Sequence, residues 1–112
     1  MNFYDKVHEL VKSFKETNEY KEYMELKAEI SKDDKTFNMV KDFKEKQQAH
    51  QIEYMNTGKM NEDKQKELQN LYSILIKNES AKSLFECEIR LDVLLADMQK
   101  IVAEGIKDII EF

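Results

Sequence analysis

Few side chains in this sequence could do chemistry. Cys87 is the only cysteine, set in SLFECEIRL between Glu86 and Glu88. A cysteine acts as nucleophile or metal ligand only as thiolate, which needs exposure and nearby positive charge. Acidic neighbours push the other way and raise a thiol pKa. The plainer reading makes Cys87 a small core residue, since cysteine is among the most often buried types. The histidines are His8, one turn after Asp5, and His50, one turn before Glu53. A di-metal bundle takes carboxylates from four helices and two Glu-x-x-His motifs. Here the second pair runs in reverse order and no third histidine exists. Structural zinc takes four Cys or His ligands. No glycine-rich phosphate loop, nucleophile elbow, kinase or metalloprotease signature occurs. The expectation is therefore no catalytic residue, no cofactor and no metal site. A dimeric metal or iron–sulfur protein using Cys87 or His50 is the alternative.

The chain that positions these residues has 112 residues, 41% hydrophobic and 37% charged, with no proline and two glycines, Gly58 and Gly105. Few breakers and many Lys, Glu, Leu and Met predict one all-α domain over 1–112. Periodic apolar residues with six Phe and five Tyr argue against disorder. Eighteen Lys and Arg against 23 Asp and Glu leave a net charge of −5, without the basic footprint of a nucleic-acid binder. Lysines at 41, 44 and 46 are offset by Asp42 and Glu45, the pattern of a solvated helix face. The opening MNFYDKVHEL has no apolar signal core, and charges interrupt the most apolar region, 84–110. A cytoplasmic chain without a membrane segment or disulfide framework is expected.

Phe3, Val7, Leu10 and Phe14 predict a first helix over about 2–16. Thr17 or Asn18 then caps a second, which runs to about 31 with Tyr20, Tyr23, Met24 and Ile30 on one side. Ser31 and Asp34 are spaced as a capping box for a third, about 34–56. NTGKMN ends it, with Gly58 as a left-handed cap and Asn61 opening a fourth helix over about 62–78. The third and fourth helices form an antiparallel hairpin turning at Gly58. KNES breaks the chain again, and a fifth helix follows over about 80–111.

On a helical wheel, Glu86, Arg90, Asp97, Lys100, Glu104, Lys107, Asp108 and Glu111 make a narrow polar stripe with Val93 as the one apolar intruder. Glu86 and Arg90 are one turn apart, suited to an ion pair. The remaining circumference is mostly apolar, about twice the roughly 100° arc that faces a single core. A rod of about 30 residues, roughly 45 Å long, overruns a domain of this size. A two-fold homodimer built as a helical bundle is the expected solution. Leu84, Cys87, Leu91, Leu94 and Leu95, with Met98, Ile101, Val102 and Ile109, are the expected core or dimer-packing residues. Glu88 and Asp92 lie off the polar stripe, where a buried polar contact could fix register or solvent could reach the edge. Gly105, on the arc of Cys87 and Met98, is read as permitting close helix approach.

Several stretches occur together in order: NFYDKVHEL, ETNEYKEYMELK, FKEKQQ through MNTGKMNEDKQKELQNLYSIL, and LLADMQKIV. With them the whole chain resembles the YheA branch of the YlbF/YmcA/YheA family of small bacterial helical proteins. The resemblance implies an all-α cytoplasmic dimer. The YlbF and YmcA branches are non-enzymatic regulators in a multi-protein complex that modulates RNA processing and, through it, competence, biofilm formation and sporulation. Other protein partners in such a complex are therefore expected. Those branches are associated with a cysteine-bound iron–sulfur cluster; here the chain departs, because one cysteine cannot supply four thiolates.

Overall fold

A computed structural model of the chain describes residues 2–112. These residues form five α-helices and, among the described residues, no strand. Each break is made by a side chain that captures free backbone groups. Asn2 caps α1 (Phe3–Lys15), its carbonyl oxygen accepting the Asp5 N–H at 2.9 Å. Thr17 serves two ends at once. Its hydroxyl donates to the Phe14 carbonyl at 2.7 Å, closing α1, and accepts the Tyr20 N–H at 3.3 Å, opening α2 (Asn18–Ile30).

The cap of α3 (Asp34–Thr57) differs from the expected Ser31–Asp34 box. Ser31 turns back and donates to the Ala28 carbonyl at 2.6 Å, finishing α2. Asp33 caps α3 instead, accepting the Lys35 and Thr36 N–H groups at 3.2 and 3.5 Å and the Thr36 hydroxyl at 2.8 Å. Those bonds favour the charged carboxylate, and the Asp33 pKa lies below the ordinary value, the Thr36 hydroxyl being the largest cause. At the other end Gly58 adopts φ 68°, and its N–H donates to the Tyr54 carbonyl at 2.8 Å. Asn61 caps α4 (Glu62–Leu75) through the Lys64 N–H, and Asn78 caps α5 (Glu79–Gly105) through the Ala81 N–H.

The fourth helix stops three residues short of the expected 78, and the fifth stops at Gly105 rather than 111. Beyond Gly105 the backbone continues as a single 3₁₀ turn, Lys107–Ile109. A Cβ on Gly105 would meet nothing within 4 Å, so close helix approach is not its role within the chain. Its backbone freedom weakens the helix end. The helix of 27 residues is about 40 Å long.

The chain divides into two compact units. One comprises Leu26–Leu84. Within it α3 and α4 form an antiparallel hairpin, visible in its cross-links: Phe43 with Tyr72, ring centroids 5.9 Å apart, then Lys46 with Glu67 at 2.9 Å, then Glu53 with Lys64 at 2.7 Å, closing on the Gly58 turn. Ile30, Val40, Phe43, Leu75, Ala81 and Leu84 are its buried apolar residues. Thr36, buried among them, accepts from the Asn78 amide at 3.5 Å besides donating to Asp33.

The other unit joins the chain up to Glu25 with the chain from Phe85 onward. Phe85 and Cys87 are buried, and Phe14 meets Tyr20 edge-on at 5.9 Å. Among the described residues no helix is long and apolar enough to cross a membrane.

Candidate interaction surface

Cys87 has no exposed surface. Its thiol donates to the Glu19 carbonyl at 3.4 Å, tying α5 to α2. Burial pushes the thiol pKa up, Glu22 adds to the rise, and Arg90 opposes it. Arg90 reaches Glu22 at 3.2 Å, so its ion pair crosses between helices instead of running one turn along α5 to Glu86. Glu88 is half-buried and Asp92 exposed; both carboxylates raise the Tyr23 phenol pKa, after the larger effect of burial. This environment keeps the thiol protonated and inaccessible, the opposite of what nucleophilic or ligand chemistry needs.

His8 stands on the exposed surface of α1. His50 is half-buried on α3, where Lys46, Ala49, Lys64, Glu67 and Leu68 line a cleft of about 270 Å³ with it. Its Nδ1 is buried without a hydrogen-bond partner. The lysines there are engaged: Lys46 by Asp42 and Glu67, Lys64 by Glu53. Donating to Glu67 and Asp42 raises the Lys46 pKa, and accepting from Lys64 lowers that of Glu53. Among the described residues no three His, Cys, Asp or Glu side chains are grouped to hold a metal ion.

The larger feature is apolar. Leu10, Phe14 and Thr17 on one side, with Leu94, Met98, Ile101 and Val102 on the other, line a groove of about 460 Å³ between α1 and α5, with Ser13 and Asp97 as its other polar members. The expected packing residues of the last helix divide along their length. Leu84 and Cys87 are buried. Leu91, Leu94 and Met98 are half-buried. Leu95, Ile101, Val102 and Ile109 are exposed, Ile101 by 70% and Ile109 by 72%.

Sequence reasoning placed no interface on α1, yet no residue of that helix is buried. Phe3 and Tyr4 are exposed by 73% and 72%, and Val7, Leu10 and Val11 are exposed as well. The signal was present: six apolar residues in a 13-residue helix, gathered on one side, in a chain with little else to cover them. The hairpin tip also displays apolar side chains, at Ile52, Tyr54, Met55 and Met60.

The sequence model of the family described as control of competence regulator ComK, YlbF/YmcA, matches residues 3–107. The chain belongs to this family. Among curated relatives it is similar to a UPF0342 protein of Desulfitobacterium hafniense, 32% identical over 98% of this chain and 89% of the relative. A UPF0342 protein of Caldicellulosiruptor saccharolyticus is 35% identical over 94% of this chain and 88% of its own length. One from Clostridium tetani is 31% identical over 95% and 91%. No solved structure matches the chain. Membership in the YlbF/YmcA family spans all five helices, including α1 and the groove-lining stretch of α5.

Proposed function

We propose that this YlbF/YmcA-family protein is a non-catalytic, cytoplasmic regulatory module that works as a homodimer through protein contacts. The observation that carries the reading is the uncovered apolar face of α1, α5 and the turn that follows α5. A stable interface takes about 800 Å² from each partner. Eight exposed side chains there, each offering on the order of 100 Å², supply that area: Phe3, Leu10, Val11, Ile101, Val102, Ile106, Ile109 and Ile110. Monomeric proteins rarely leave large apolar patches open, and Leu10, Ile101 and Val102 of this set meet along one groove. Two-fold pairing of these faces gives the long last helix its second neighbour.

The hairpin is the surface for other partners. It carries Ile52, Met55 and Met60 exposed beside fixed ion pairs, and flexible methionines suit contact surfaces. By family membership, and by what the resemblance implies for the YlbF and YmcA branches, the partner is a component of an RNA-processing regulatory complex, reached by protein contact and not by direct nucleic-acid binding. The test has two parts. Sedimentation at micromolar concentration gives a dimer; a monomer there rejects the dimer. Affinity capture from the native host recovers a ribonuclease or a related family protein, and Met55→Asp with Met60→Asp abolishes that recovery. Recovery of neither class by the unaltered protein rejects the adaptor role.

A further inference from the structure

The dimer of the preceding reading has one groove and one uncovered apolar segment per chain, and the two match. After Gly105 the chain presents Ile106, Ile109 and Ile110 at i, i+3 and i+4, exposed by 48%, 72% and 75%. At interior packing density an isoleucine side chain takes roughly 100 Å³. The groove of about 460 Å³ therefore has room for all three. Charge agrees as well: Asp97 is in the groove lining and Lys107 lies within the segment, while Asp108 and Glu111 have Lys12 and Lys15 on the last turn of α1 to face.

We propose that residues 106–112 of each copy occupy the α1/α5 groove of the other, exchanged reciprocally across the two-fold axis. The backbone favours exchange over folding back. The Ile106 N–H donates to the Val102 carbonyl, Ile109 to Ile106, and Ile110 and Glu111 to Lys107, at 3.0–3.2 Å, so the segment continues onward from α5. Filling its own groove would require reversing the chain just after Gly105 and breaking the Ile106–Val102 bond, the one that ties the segment to α5. Filling a second copy's groove keeps it. Antiparallel α5 helices crossing near Val102 bring Ile109 and Ile110 of one copy beside Leu94 and Met98 of the other. One groove and one segment per chain then close as a pair without leaving either open.

This inference rests on the dimer, and the experiment separates the two. The full chain carrying Met98→Cys and Ile109→Cys is treated with a short bis-maleimide. Buried Cys87 stays unreacted, which the unaltered chain controls. The expected product is a covalent dimer, with little product from either single variant. A covalently closed monomer overturns exchange in favour of folding back. Absence of product from a protein that sediments as a dimer also overturns exchange, while leaving the dimer standing. A chain that sediments as a monomer before any substitution overturns both. As a second measurement, Ile109→Asp with Ile110→Asp alters only exposed positions, so its circular dichroism is unchanged. Its dimer dissociation constant rises by on the order of 100-fold or more, because four apolar side chains per pair lose their cover. An unchanged constant overturns the exchange.

Discussion

Cys87 offers a direct reading of how the α2–α5 contact opens. The perturbation is a thiol reagent added to the native protein. Cys87 has no exposed surface and its thiol is bonded to the Glu19 carbonyl, so the reagent waits for an opening that separates α5 from α2. Domains of this size are stable by about 5–15 kcal/mol. Even the lower bound, at 1.4 kcal/mol per decade, makes the reactive population about one chain in 4,000 if opening is global. Burial and Glu22 also raise the thiol pKa, lowering the thiolate fraction of the closed state. The assay follows the colour released by an aromatic disulfide reagent at pH 7.5, with and without urea. Labelling should be at least about 10³-fold slower than in the urea-unfolded chain. It should accelerate with urea along the same slope as global unfolding. A native rate within tenfold of the unfolded one refutes the packing role and revives a functional thiol. Fast labelling that ignores urea refutes global opening.

Leu75, 2% exposed, closes the core of the α3–α4 unit, and Leu75→Ala should cost about 3 kcal/mol. For 112 residues that lowers the single cooperative melting transition expected of one domain by about 12 °C, measured by calorimetry. The two glycines should respond with opposite sign. Gly58→Ala, at φ 68°, should destabilise by about 1 kcal/mol, whereas Gly105→Ala, helical and facing open space, should stabilise by about 0.5–1 kcal/mol in denaturant titrations. Alkaline pH should weaken the fold. The Cys87 and Tyr23 pKa values are both raised in the folded chain, so their contribution is complete below the unfolded values and is lost as pH rises through the folded ones. Melting temperatures should therefore fall from about pH 8.5 upward, and Tyr23→Phe should flatten the steepest part of that fall, near pH 10 and above.

The all-α class, the number of helices and the antiparallel hairpin were legible because the signals are local. Gly58, Asn61, Thr17 and Asn78 act on backbone groups within three or four residues. Where two residues compete for such groups, local pattern was not enough. Ser31 and Asp33 both could cap α3, and only the fold shows that the Ser31 hydroxyl is spent on the Ala28 carbonyl. Depth was the least legible quantity. Leu84 and Ile101 are equally apolar and both lie off the polar stripe, yet one is 3% exposed and the other 70%, because cover comes from other parts of the chain. Arg90 makes the same point: one turn from Glu86, it turns to Glu22, 68 positions away. The apolar stripe on α1 was visible, but its meaning depends on how little lies over it.

The spacing of contacts along the chain also orders events in time. The hairpin's ion pairs join residues 11 and 21 positions apart, whereas Cys87 and Glu19 are separated by 68. Short loops close at small entropic cost, so the hairpin can form while the rest is still being sought. During synthesis α1 emerges first, and its α5 neighbour follows after roughly 3–14 s at 5–20 residues per second. Throughout that interval the Phe3–Val7–Leu10 stripe is open to whatever meets the nascent chain at the ribosome. The face proposed to join two copies is thus also among the last to be covered in an unfinished copy.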